Sequence, residues 1–306
     1  MKIPFLSLLV SGLCLLPVGC EHSPSEHEAS DDADAHEHHH DGDMASADQS
    51  SAQTQPVVLS FAAQLGQKEA RCGQKYSGLG KSGSATLELS DLRFYVHDVR
   101  LVDQQGTEVP LTLTVDNKWQ NQRVALLDFE DKSGACTGTT ELNTVVRGTV
   151  PAGGYKWQGL RFRLGVPFAL NHADVTKAES PLNLSSMFWS WQSGYKFLRL
   201  EGEVTGSAGL VVHLGSTGCQ KDGTGAVTSC QSPNRPEVSL TGFDPSSSKI
   251  VLDVATLLAE SDLMQTKGTE CMSGPGNADC APLFSALGLP YGSSPSVAQK
   301  IFRVGP

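Results

Sequence analysis

The chain has 306 residues, a formal net charge of -10, nine histidines and eight cysteines. Nearly all of the excess negative charge lies before residue 53, so the remainder is close to neutral and lacks the basic surface that nucleic acid or an anionic membrane face requires. No G-x-S-x-G, P-loop, H-E-x-x-H or strand-glycine-helix dinucleotide fingerprint occurs, which argues against the common hydrolases and dehydrogenases.

Met1 and Lys2 precede an uncharged run, Ile3 to Val18, that ends in Gly19 and Cys20. This is the layout of a bacterial export signal, too short to span a bilayer as a permanent helix. A small residue directly before a cysteine is what lipoprotein processing needs, although Pro17 stands where such signals usually carry leucine. The expectation is a signal over residues 1–20 and a mature chain in the periplasm or cell envelope, attached to the membrane by a lipid at Cys20.

Residues 21–55 read as a tether. From Glu21 to Ala52 there are ten acidic residues, six histidines and no Lys or Arg, with almost nothing bulky and apolar. Such a segment cannot bury enough surface to offset its ordering entropy, so disorder is expected. Acidic histidine runs also bind divalent transition metals without a fold, which leaves this one either a solvated spacer or a loose metal collector.

Residues 56–306 form the folded part. Strands are expected at Val57 to Leu65, Ala85 to Ser90, Leu92 to Val102, Val109 to Val115, Arg123 to Phe129, Leu160 to Val166, Lys196 to Val204, Leu210 to Leu214, Glu237 to Thr241 and Lys249 to Val254. In one of them Leu92, Phe94 and Val96 make an apolar face with Arg93, Tyr95 and His97 opposite. Helical patterns are confined to Ala255 to Met264 and Pro282 to Leu287. Many short strands separated by Gly, Pro, Asn and Asp define an all-β fold, mainly an antiparallel sandwich-like domain with a minor helix near the C-terminus.

Once the signal is removed, Cys72, Cys136, Cys219, Cys230, Cys271 and Cys280 remain, an even set in a chain bound for an oxidising compartment. Six cysteines permit many pairings. Short intervening loops favour Cys219 with Cys230 and Cys271 with Cys280, leaving Cys72 and Cys136, and the absence of C-x-x-C disfavours a cysteine metal site.

Three histidines lie beyond the tether. His172 sits in a strand-exit loop after Val166-Pro-Phe-Ala-Leu-Asn, and His213 ends the strand Leu210 to Leu214 just before Gly215. Strand ends are where sites concentrate. His97 is mid-strand, where a packing role is more common than ligation. The segment Phe188 to Leu198 is rich in aromatic residues, with Trp189 and Trp191 two apart, as in a core strand.

The blocks Phe94-Tyr-Val, Leu126-Leu-Asp-Phe, Leu164-Gly-Val-Pro, Leu170-Asn-His, Met187-Phe-Trp-Ser-Trp-Gln-Ser-Gly-Tyr-Lys-Phe, His213-Leu-Gly-Ser-Thr-Gly-Cys and Cys271-Met-Ser, in this order, resemble the MbnP-like family, also described as the four-cysteine partner of a two-protein metal system. The resemblance runs from about Val57 to about Leu289. It implies a periplasmic copper-binding protein acted on by a MauG-like di-haem cytochrome c peroxidase, which converts a tryptophan to kynurenine. Carried over, the metal ligands are His172, His213 and a residue derived from Trp189 or Trp191, with His97 as a possible third histidine. The chain departs from the family in having an additional cysteine pair and in carrying His97 where a small polar residue is expected.

The leading expectation is therefore copper binding in acquisition or homeostasis, not an enzyme. The alternatives are a redox enzyme relaying electrons through Tyr195 or a tryptophan, and a structural or adhesive lipoprotein whose aromatic block is only core.

Overall fold

In the strand Thr54–Leu65, Val57, Leu59, Phe61, Ala63 and Leu65 are buried while the residues between them are exposed or half-buried. That period-two pattern makes one face of a sheet the wall of a core. The computed structural model describes residues 53–190 and 194–306; the signal-like segment, Cys20, the acidic stretch up to residue 52 and Trp191 lie outside the described residues.

Thr54–Leu65 is the middle of a sheet ordered Phe302–Gly305, Lys249–Asp253, Thr54–Leu65, Val145–Pro151, Thr112–Leu113, with Lys68–Glu69 folded back onto its end. Its pairing with Lys249–Asp253 is parallel and the others are antiparallel. The second, larger sheet runs Glu237–Thr241, Trp157–Leu164, Ala85–Asp103, Leu198–Val204, Leu210–Leu214, Thr269–Cys271. Lys75–Leu79, Glu108–Pro110 and Val124–Asp128 also pair with the long strand Ala85–Asp103.

The two sheets meet through aromatic rings. Phe61 and Phe302 from the first contact Phe94 and Phe162 from the second at centroid separations of 5.2 to 6.1 Å, mostly edge to face. The fold is thus the all-β sandwich expected. Cys72–Cys136, Cys219–Cys230 and Cys271–Cys280 are the disulfides. The last joins an edge strand to the helix Cys280–Leu287, which Gly288 closes in the left-handed conformation.

Several elements differ from expectation. Thr54 and Gln55, assigned to the tether, pair with Pro151 and Val150. The separate strands over 85–90 and 92–102 are one strand of 19 residues whose register shifts near Asp98, a residue with φ of 51°. The helix foreseen over 255–264 is only Val254–Leu258, because the chain turns so that Leu263 packs under Gly80, where a Cβ would lie 2.9 Å from the Leu263 side chain. Among the strands that carried no clear signal are Lys75–Leu79, Val145–Pro151, Phe302–Gly305 and the ribbon Thr217–Lys221 with Val227–Ser232.

Candidate metal centre

Residues 91–97 of the long strand are buried on both faces, although one face carries Asp91, Arg93, Tyr95 and His97. What covers that outer face is the excursion between Trp157–Leu164 and Leu198–Val204. Tyr95 donates to Pro181 O at 3.0 Å, Tyr195 donates to Leu182 O at 2.7 Å, and the two rings meet edge to face at 6.0 Å. Burial pushes the Tyr195 phenol up to about 12. This excursion brings the candidate ligands to the sheet.

Phe188–Trp189 and Gly194–Tyr195 form a small ribbon in which Trp189 is opposite Gly194. A Cβ on Gly194 would lie 2.9 Å from Asn171 Nδ2 and 3.2 Å from His172 Cε1, so glycine lets His172 lie against the ribbon. Asn171 is fully buried and ties the two together: its Oδ1 accepts from Tyr195 N at 2.8 Å, which fixes the amide so that Nδ2 donates to His172 Nε2 at 2.9 Å. His172 itself is half-buried, with Cys230 Sγ 3.3 Å from Nε2 and the Phe168 ring edge-on at 5.0 Å. His172, Cys219 and Cys230 group at metal-ligand spacing, but the two sulfurs are joined in a disulfide and offer no thiolate.

Trp189 is 5% exposed. Its ring lies 5.9 Å from the ring of His213, tilted by 52°. Gly215 makes this contact possible, because a Cβ there would approach Trp189 Cζ3 to 2.5 Å. Ser273 fixes the same strand end, donating to His213 O at 2.9 Å and accepting from Gly215 N at 3.1 Å.

On Leu210–Leu214 the alternation sends Leu210, Val212 and Leu214 inward and His213 to the outer face, in register with Arg199 and, one strand further, Arg93. His213 Nε2 lies 2.6 Å from Glu201 Oε1. Burial lowers the His213 pKa against the pull of Glu201, so the ring is neutral at pH 7 with the proton on Nε2. His213 Nδ1 is then a bare acceptor, and it is buried without a hydrogen-bond partner among the described residues. Burial alone raises the Glu201 carboxyl, but hydrogen bonds from His213 and Arg199 override it and hold the group below the usual carboxylate range. Arg199 grips Glu201 through Nε at 2.7 Å and Nη2 at 2.9 Å and reaches Asp91 at 3.0 Å; Asp91 pairs with Arg93, which lies 3.6 Å from Glu130. An ion-pair ladder therefore runs under the excursion and ends at His213.

Of the residues singled out from sequence, Trp189 contacts His213 directly, and His172 lies against Gly194 of the ribbon that holds Trp189. His97 does not join them: its Nδ1 lies 2.8 Å from Gly165 O, and it stands four residues, roughly 13 Å, along the strand from the row that holds His213. Burial lowers the His97 pKa to about 4. Asn171, Glu201 and Ser273 were not foreseen. A charged pair alternating with leucines in Leu198–Val204, Arg199 and Glu201, is the one signal that marked the ladder.

The fold and site define a class: a disulfide-stapled β-sandwich whose larger sheet carries, on its outer face, a buried Trp189–His213 contact backed by ion pairs, with half-buried His172 against the adjoining ribbon. Residues 54–273 match the family model MbnP, and the chain belongs to the MbnP family. The solved structure of MbnP from Methylosinus trichosporium superposes with a TM-score of 0.70 at 34% identity, covering 83% of this chain and 99% of that one. A search of curated proteins returned no match.

Proposed function

We propose that this chain is a copper-binding lipoprotein of the periplasm, serving copper acquisition or homeostasis rather than catalysis, with His172, His213 and an oxidised Trp189 as ligands. The observation that carries the reading is His213, whose ring lies beside Trp189, whose Nε2 is tied to Glu201 and whose Nδ1 is buried with no hydrogen-bond partner among the described residues. An acceptor left unmet in the interior costs about 1–3 kcal/mol, and a metal ion meets it. The carboxylate–histidine arrangement is the one that metal-binding histidines commonly use.

The donor set favours copper. Two imidazoles and a further nitrogen suit a metal at the top of the divalent affinity order that also accepts low coordination when reduced. Zinc more often takes an additional carboxylate or thiolate, and here Glu201 is engaged by Arg199 and His213 while the neighbouring sulfurs are bonded to each other. Indole cannot ligate, since its nitrogen only donates. Kynurenine can, through its aniline nitrogen. The conversion cleaves the indole C2–C3 bond, places one oxygen atom on each carbon, and then releases formic acid by hydrolysis of the resulting formamide. The oxidant would be hydrogen peroxide acting through the MauG-like di-haem partner that the family resemblance implies, two equivalents supplying the two oxygen atoms and leaving as two waters. Contact with His213 favours Trp189 over Trp191 as the target.

The pocket supports binding better than turnover. The Tyr195 hydroxyl is committed to Leu182 O and burial disfavours its ionisation, which suits a packing residue more than a relay. The test is peptide mass spectrometry of the chain from cells that make the partner, over Met187 to Lys196, combined with copper titration of H172A and H213A. A gain of about 4 Da on Trp189 and loss of tight copper in both variants is the expected result. An unmodified peptide together with undiminished copper binding in both variants overturns the proposal.

A further inference from the structure

Beside His97 lies a second cavity of about 500 Å³, within the range that holds small organic molecules. Leu111 and Phe168 give it an apolar wall, while the other wall is polar, with Arg123, Arg163 and Arg235 as cations, Asp98 as the one carboxylate and His97 between them. Phe168 is 39% exposed, an apolar ring left in contact with water at the rim.

The charges around this cavity do not balance. Arg100, Arg161 and Arg163 are matched by Asp98, Glu108 and Glu237 through contacts of 2.5 to 3.7 Å, so Arg163 reaches the cavity already neutralised. Arg235 has no carboxylate partner among the described residues, and neither does the exposed Arg123 at the mouth. The Arg235 guanidinium is nevertheless held firmly. Its Nε donates to Val166 O at 2.5 Å, its carbon sits 5.0 Å over the Phe197 ring, and its Nη2 is buried with no hydrogen-bond partner among the described residues.

Backbone geometry fixes the arrangement. Gly165 has φ of 117°, and a Cβ on it would lie 2.8 Å from the Phe197 ring, so glycine lets Phe197 fill the space between this turn and Arg235. The successive carbonyls of Gly165 and Val166 then take up His97 and Arg235. A buried cation without a counter-ion is costly and persists where something compensates it. Burial and the neighbouring Arg163 lower the Arg235 pKa to about 10, which still leaves it charged at neutral pH.

We infer that this cavity binds a small organic anion, its carboxylate between Arg235 and Arg123 and its apolar body against Leu111 and Phe168. The fixed guanidinium supplies charge-assisted hydrogen bonds without loss of side-chain freedom on binding. Burial keeps His97 neutral, so it contributes a hydrogen-bonding wall and no charge. The site does not depend on the copper reading, although Phe168 also packs against His172 and places the two pockets side by side.

The test is calorimetric titration of the whole mature chain with sodium hexanoate and, separately, with inorganic phosphate, repeated on R235Q and R123Q. Hexanoate is expected to saturate one site and to bind at least about tenfold more weakly to each variant, the equivalent of one lost charge-assisted hydrogen bond. Arg123 is exposed, so R123Q keeps the inference testable if R235Q does not fold. Absence of saturable hexanoate binding overturns the inference, as does binding that is unchanged in the variants. Phosphate binding as tightly as hexanoate overturns it too, because the apolar wall would then play no part.

Discussion

His213 and Glu201 meet diagonally across adjacent strands of the larger sheet, Nε2 2.6 Å from Oε1, and that contact leaves Nδ1 as the acceptor of a ring that lies 5.9 Å from Trp189. The carboxylate sets the tautomer. It also stiffens the ring, because Arg199 holds Glu201 from behind with two nitrogens.

Glu201→Gln keeps the shape but presents an amide that can also donate, so the tautomer is no longer enforced. Copper affinity is expected to fall roughly 10- to 100-fold, the usual effect of losing such a partner. Nitrogen-detected NMR of the metal-free protein should show the His213 proton leaving Nε2 for a mixture of the two sites. Unchanged ring-nitrogen shifts would show that Glu201 does not set the tautomer.

Gly215→Ala places a methyl group against Trp189, since a Cβ there falls 2.5 Å from Cζ3 and 2.9 Å from Tyr195 O. One of the contacts is backbone, so relief must come from the indole. The cost is expected at about 1–3 kcal/mol, with a shifted tryptophan emission and weakened copper binding. Thermal denaturation and fluorescence check this. A variant with parental melting and emission would mean that Trp189 is free to move.

The parts of the fold that were legible in sequence are those whose pattern is local. Leu210–Leu214 and Glu237–Thr241 have the expected bounds because period-two burial and flanking turns mark them, and the short loops between cysteines pointed to the observed bridges. Val145–Pro151 was hidden by Gly148, which sits where a Cβ would meet Thr112 O at 2.6 Å, a close approach between strands far apart in the chain. The site divides in the same way. His172 and His213 were visible as residue types at strand ends, and Trp189 through the aromatic block that carries the family resemblance, but Glu201 and Asn171 matter through register and through one folded excursion, and neither can be read from spacing. His97 looked like a strand residue facing outward; the structure makes it part of the wall of another cavity.

The Cys219–Cys230 bridge braces His172 directly, with Cys230 Sγ 3.3 Å from Nε2, whereas Cys72–Cys136 lies elsewhere in the chain. Replacing both members of either pair by serine should cost about 2–4 kcal/mol of stability. Only loss of the first pair is expected to weaken copper binding. Denaturant melts and copper titrations of C219S/C230S and C72S/C136S separate the two effects, and equal affinities in both double variants would remove the disulfide from the site.

Asp128 supplies a pH signature. It is 2% exposed, and burial pushes its carboxyl up to about 7 against the Glu130 amide hydrogen bond and the charge of Arg93; the carboxylates of Glu130 and Asp91 push the same way as burial. The unfolded chain titrates this group near about 4, so between about 4 and 7 the folded state binds the extra proton. The stability contribution is therefore present at low pH and lost as pH rises through 7, with a slope of at most about 1.4 kcal/mol per pH unit. Asp128→Asn keeps an oxygen to accept from Glu130 N, a bond of 3.0 Å, but never ionises. Its stability relative to the parent should rise from pH 5 and level off above about pH 7 in denaturant melts. Because His97 and every other titrating group is common to both proteins, the difference isolates Asp128, and parallel curves would show that its carboxyl ionises at the ordinary value.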